Sequence, residues 1–110
     1  MSSFIPDRGD LVYLNFNPQS GHEQAGRRPA IVLSPEAFNF ATGFAVCCPI
    51  TNQQKGYPFE VTLPSTLKIR GVILSDQVKS LDWRSRNLEI KDKAPQNITD
   101  EVLDKIHTFL

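Results

Sequence analysis

Residues able to do chemistry concentrate in GHEQAGRRPAIVLSP, residues 21 to 35, where a glycine-flanked polar loop turns into an apolar run. Glu23 and Gln24 lie between Gly21 and Gly26, and Arg27 and Arg28 come immediately before Pro29. Pro29 fixes its own φ and pushes Arg28 out of the helical region, so Arg28 is expected to begin a strand. A guanidinium at a strand mouth, close behind a loop carboxylate, presents a fork of donors suited to phosphate oxygens. The same residues also suit a surface Glu23–Arg28 ion pair that adds little to stability.

A second polar junction follows at Thr51 and the loop TNQQKGYP, which carries Lys55. Glu23, Arg28, Thr51 and Lys55 together suit phosphodiester chemistry in RNA. The ribose 2′-hydroxyl is a built-in nucleophile, so an enzyme need only deprotonate it, stabilise the phosphoryl oxygens and protonate the leaving 5′-oxygen. Glu23 could act as base, Arg28 could bind the non-bridging oxygens, and the Thr51 hydroxyl could supply an oriented hydrogen bond. Arginine suits positioning and charge stabilisation better than proton donation, because its pKa lies above ~12.

Other chemistries find less support. Asp7, Asp10, His22 and Glu23 form no recognisable ligand set and no histidine pair has helical spacing, so no metal or other cofactor is expected. There is no nucleophile elbow, Cys47 and Cys48 sit in an apolar run, and His107 falls within an expected helix. His22 is either a ligand contact or a solvated loop residue.

The elements that would position these groups are short strands. LVYLNF alternates after the turn-like Asp7-Arg8-Gly9-Asp10, and a polar loop of about 12 residues follows to Arg28, a length common in binding loops. PAIVL is apolar enough to be buried on both faces. Ser34-Pro35-Glu36 has the order of a helix start, with Ser34 as N-cap, and Gly43 should stop that helix within about two turns. Phe44 to Ile50 reads as a strand with Thr51 at its end, and FEVTL as a half-exposed strand. GVILS with DQVKSLDW reads as one long or broken strand, with Gln77 and Lys79 on one side and Trp83 packed at its end. Asn97 or Thr99 should cap a C-terminal amphipathic helix carrying Ile98, Val102, Leu103, Ile106, Phe109 and Leu110 on one face. The fold class is therefore mainly β with a C-terminal helix, as a strongly curved sheet or small barrel.

The 110 residues fit one domain, and 12 basic residues balance 12 acidic ones. That balance excludes a strong global field for nucleic acid and leaves local patches. Lys68, Arg70, Lys79, Arg84 and Arg86 against Asp76 and Asp82 make one of about +3. Cys47 and Cys48, on opposite strand faces, are expected as free thiols of a reducing compartment. With neither a signal-like start nor a ~20-residue apolar run, the reading is a cytoplasmic protein without a membrane span.

The blocks PDRGDLVYLNFNP, GHEQAGRRPAIVLSP, PITNQQKGYPFEVTL and SDQVKSLDWRSR, in that order and spacing, resemble the MazF/PemK toxin endoribonucleases of bacterial toxin–antitoxin systems. The resemblance runs to about residue 86. It implies an SH3-like small barrel of the PemK/CcdB type, a homodimer, and metal-free cutting of single-stranded RNA to 2′,3′-cyclic phosphate and 5′-hydroxyl ends. Carried across by motif, Arg28 and Thr51 match the family's catalytic pair and Glu23 a residue beside them. Gln24, Lys55, Gln77, Lys79 and Arg86 match positions near the RNA groove. The resemblance also implies a MazE-like antitoxin whose acidic tail occupies the RNA path. His22 departs from the familiar pattern, in a loop that helps read bases. The alternative on the same barrel is a non-enzymatic, CcdB-like gyrase-binding toxin that depends on its C-terminal residues.

Overall fold

The structure, a computed structural model, describes residues 5–16 and 26–110. Its elements in chain order are β1 (Asp10–Asn15), β2 (Arg27–Val32), α1 (Glu36–Thr42), β3 (Phe44–Thr51), β4 (Glu60–Thr62), β5 (Val72–Leu74), β6 (Lys79–Asp82), β7 (Glu89–Lys93) and α2 (Gln96–Ile106). The strands form one antiparallel sheet in the order β4-β5-β3-β2-β1-β7, with β6 paired to β3 off that path. Among the described residues no helix is long and apolar enough to cross a membrane.

The continuously apolar strands have both faces buried, and successive residues feed two different cores. Leu11, Ile31, Cys48 and Ile50 point into one cluster, which α2 covers with Ile98, Val102 and Ile106. Val12, Leu14, Ala30, Val32 and Cys47 point into the other, closed by Leu81 and Trp83. Burying the three aliphatic side chains of α2 contributes roughly 5–9 kcal/mol before entropy, which holds a short helix in place. The adjacent cysteines do lie on opposite faces, buried and free. The expected long or broken strand is broken: β5 pairs with the end of β3 and β6 with its beginning, with Ser75 to Val78 between them.

Three local expectations are corrected. Ser34 does not cap α1; Pro35 occupies that position without a side-chain cap, and Asp7 Oδ1 accepts the Glu36 amide at 2.8 Å instead. The Ser34 hydroxyl is drawn inward, donating to Asn39 Oδ1 and accepting from the Val46 amide. Neither Asn97 nor Thr99 caps α2, since Pro95 is already extended at that boundary and Thr99 is buried one turn inside, facing Gly9. Phe109 and Leu110 fall beyond the helix, and Phe109 stands edge-on to Phe59 at 5.7 Å. Strand β7 is absent from the sequence reading. Its residues EIKDK are charged and half-exposed, the composition of a protected sheet edge, and Asn87 turns the chain into it with φ of 56°.

Candidate active site

Arg28 is placed by the two rules that apply to its neighbours. Pro29 holds the chain extended, and β2 pairs with β3 through Val32 with Cys47 and Ala30 with Pro49. Two residues beyond the last of those pairs on each strand stand Arg28 and Thr51, and both line the same hollows. Both lie where the apolar side chains of the two strands end. The Arg28 side chain is exposed and has no ion-pair partner among the described residues. Thr51 Oγ1 accepts the Gln53 amide at 3.1 Å, which fixes the hydroxyl and leaves its proton free to donate.

Three contiguous hollows share Arg28. One of about 390 Å³ runs past Thr51, Lys55 and Gln77 and is walled by Tyr57, Glu60 and Asp76. A second, of about 440 Å³, adds Lys79 above the apolar floor of Phe16, Pro49, Leu74 and Leu81. The third, of about 520 Å³, lies toward Tyr13, Asn52, Lys68 and Arg70. Five of the expected site residues, Arg28, Thr51, Lys55, Gln77 and Lys79, thus meet along one groove. Gln77 and Lys79 share a side as expected, since both line the second hollow.

Two acids shape this groove. The Glu60 carboxylate accepts the amides of Lys55, Gly56 and Tyr57 at 3.0, 3.2 and 3.4 Å, and so fixes the turn that presents Lys55. Asp76 Oδ2 accepts the Tyr57 hydroxyl at 2.7 Å, and that hydrogen bond raises the tyrosine pKa. Sequence reasoning missed Tyr57 and Glu60; the spacing Lys-Gly-Tyr-Pro-x-Glu, a turn followed by an acid, was the available signal.

Arg86 is placed differently from the rest. Its Nη1 donates to the carbonyls of Asn15, at 3.0 Å, and Phe16, which holds one groove wall from behind. The local basic patch is thereby dispersed: Arg84 stacks over Trp83 at 4.8 Å and donates to the Phe40 carbonyl, while Lys68 and Arg70 border the third hollow. Glu23, Gln24 and His22 lie outside the described residues.

Residues 7–110 match the family described as PemK-like, MazF-like toxin of type II toxin–antitoxin system. The chain belongs to that family. It is 50% identical over 99 residues to the endoribonuclease toxin MazF of Escherichia coli strain K12, covering 89% of this chain and 88% of that one. Its fold superposes on a solved MazF structure from Deinococcus radiodurans with a TM-score of 0.87 and 55% identity, covering 96% of both chains. It also matches a MazE–MazF complex structure from the same organism, with a TM-score of 0.85 and 50% identity over 96% of this chain and 94% of that one. The resemblance therefore extends past residue 86 to the C-terminus, further than the four sequence blocks reach.

Proposed function

We propose that this protein is a sequence-specific, metal-independent endoribonuclease toxin that cuts single-stranded RNA and is neutralised by a MazE-like antitoxin. The observation that carries the reading is the meeting of three hollows on Arg28, two of which Thr51 also lines. A phosphodiester seated there has the Arg28 fork on its non-bridging oxygens and the Thr51 hydroxyl within the same niche. Removal of the 2′-hydroxyl proton lets the 2′-oxygen bond to phosphorus. The P–O5′ bond then breaks and the 5′-oxygen takes up a proton, leaving a 2′,3′-cyclic phosphate and a 5′-hydroxyl. The base role is assigned to Glu23, the carboxylate that the family blocks set beside Arg28, while Glu60 holds three backbone amides and Asp76 Oδ2 holds the Tyr57 hydroxyl. Gln24, Lys55, Gln77 and Lys79 contact the flanking nucleotides, and Arg86 supports them through Phe16.

In this reading residues 1–110 act as one toxin domain, in the cytoplasm, as a homodimer whose groove an acidic antitoxin segment can fill in place of RNA. The likeness to a MazE–MazF complex supports the partner. The test is incubation of the protein and its Arg28→Ala variant with a long unstructured RNA in excess EDTA, followed by mapping of fragment ends. Discrete cuts with cyclic-phosphate ends, absent in the variant, are expected. If the wild type makes no cuts, and deleting Phe109 and Leu110 abolishes toxicity while Arg28→Ala leaves it intact, the gyrase-binding alternative replaces this reading.

A further inference from the structure

The third hollow contains groups that the cleavage step leaves unused. It shares Arg28 and Thr51 with the groove and continues to Lys68 and Arg70, with the half-buried Tyr13 ring on one wall and no carboxylate in its lining. Lys68 and Arg70 are exposed and form no ion pair among the described residues, whereas neighbouring Arg27 is tied to Glu89 at 3.0 Å.

The two cations are presented by a fixed loop. Ile69 between them is buried in the core that α2 covers, so the side chains on either side are directed outward. The Lys68 amide donates to Asp92 Oδ2 at 2.9 Å, and the Leu63 amide donates to the Gly71 carbonyl at 3.0 Å. Gly71, with φ of 120°, lies so close to Thr51 that a Cβ there would run into the Thr51 carbonyl. The loop bearing Lys68 and Arg70 is therefore packed directly against the strand end bearing Thr51.

Resting on the ribonuclease reading above, we propose that this hollow is a second RNA subsite. It takes the backbone phosphates on one flank of the scissile bond through Lys68 and Arg70, and a base against Tyr13. A cationic track combined with an aromatic face is the combination that single strands use, since every base has a π-face and every phosphate a charge. An acidic peptide would use the charges but has no need of the ring.

The probe is a labelled single-stranded 2′-deoxy oligonucleotide, which carries the phosphates but lacks the nucleophile and so cannot be cut. Its binding is measured from low to moderate salt for the wild type, for the Lys68→Ala/Arg70→Ala double variant, and for the charge-retaining Lys68→Arg/Arg70→Lys variant. Losing two single-strand phosphate contacts, at about 0.7 each, flattens the log–log salt slope by about 1.4 and weakens binding about 25-fold at 0.1 M salt. The charge-retaining variant should keep most of the affinity. On cleavable RNA the double variant should raise KM for long substrates and leave kcat unchanged.

Wild-type affinity and slope in the double variant would overturn the subsite while leaving the ribonuclease reading intact. A loss confined to an acidic peptide probe, with oligonucleotide binding unchanged, would overturn it in favour of a polypeptide ligand. Absence of any wild-type oligonucleotide binding would overturn it outright. Conversely, a wild type that cuts no RNA but loses oligonucleotide affinity through Lys68 and Arg70 would support the subsite and count against the cleavage reading.

Discussion

Gly71→Ala should unfold this protein far more readily than Gly56→Ala, although both glycines have positive φ, of 120° and 75°. An added Cβ at Gly56 meets nothing within 4 Å, so that variant bears only the conformational cost, about 1 kcal/mol. At Gly71 the Cβ would sit 2.9 Å from the Thr51 carbonyl carbon, closer still to its oxygen, and 3.1 Å from Asn52 Oδ1. Ordinary contact begins at 3.4 Å, so the carbonyl carbon alone must retreat by 3.4 − 2.9 = 0.5 Å. Thr51 is paired with Val72 on β5, so the retreat disturbs a ladder as well as a contact. Overpacking of this kind costs ~1–3 kcal/mol in addition to the conformational term, or about 3 kcal/mol in all. With an unfolding entropy near 2.1 cal/mol/K per residue, the melting temperature should fall by about 13 °C for Gly71→Ala and about 4 °C for Gly56→Ala. Thermal and urea unfolding of the two variants beside the wild type measure the difference. Equal shifts would refute the claim that the Gly71 loop is locked against the Thr51 strand end.

Asn39 is fully buried, donates to the Pro6 and Ser34 carbonyls at 2.7 and 3.0 Å, and accepts from the Ser34 hydroxyl, so Asn39→Ala should cost ~3–5 kcal/mol in urea unfolding. Burial pushes the Asp7 carboxyl up, but the Glu36 and Arg8 amides and the charges of Lys93 and Arg8 outweigh it, leaving its pKa below the ordinary 3.8. Its stabilisation of α1 is therefore complete above that ordinary value and is lost as pH falls through the lowered one. Asp7→Ala should cost up to about 1 kcal/mol at pH 7, discounted for its exposure, and the gap from wild type should close in acid unfolding curves. Burial pushes the Cys47 and Cys48 thiols up to about 12, so the native protein should resist a thiol reagent at pH 8 and react with it only after denaturation.

Much of this fold is written in the apolar pattern. PAIVL and the Phe44–Ile50 run are too apolar for one wet face, and the structure buries them between two cores. Arg28 was legible because proline dictates its backbone, and Thr51 because it ends an apolar run. β7 was not, since an edge strand's polar composition reads as loop, and neither was the cap of α1, where remote Asp7 does the work expected of a local serine. The roles of Glu60 and Tyr57 depend on a turn closing back on its own strand and on contact with Asp76. Periodicity cannot report contacts of that kind. Lys68 and Arg70 were visible as charge, but their assignment to a shared hollow required knowing that Gly71 abuts Thr51.

The central claim is that Arg28 and Thr51 act on one phosphate, and a double-mutant cycle in single-turnover RNA cleavage tests it most directly. Arg28→Ala, Thr51→Ala and the pair should each be compared with wild type on one RNA substrate cut at a mapped site. Loss of one charge-stabilising donor in such a site typically lowers the rate ~10²–10³-fold. Groups that serve the same transition state are strongly non-additive, so the double variant should fall well short of the product of the two single losses. A single variant within a few-fold of wild type, or losses that multiply, would contradict the account.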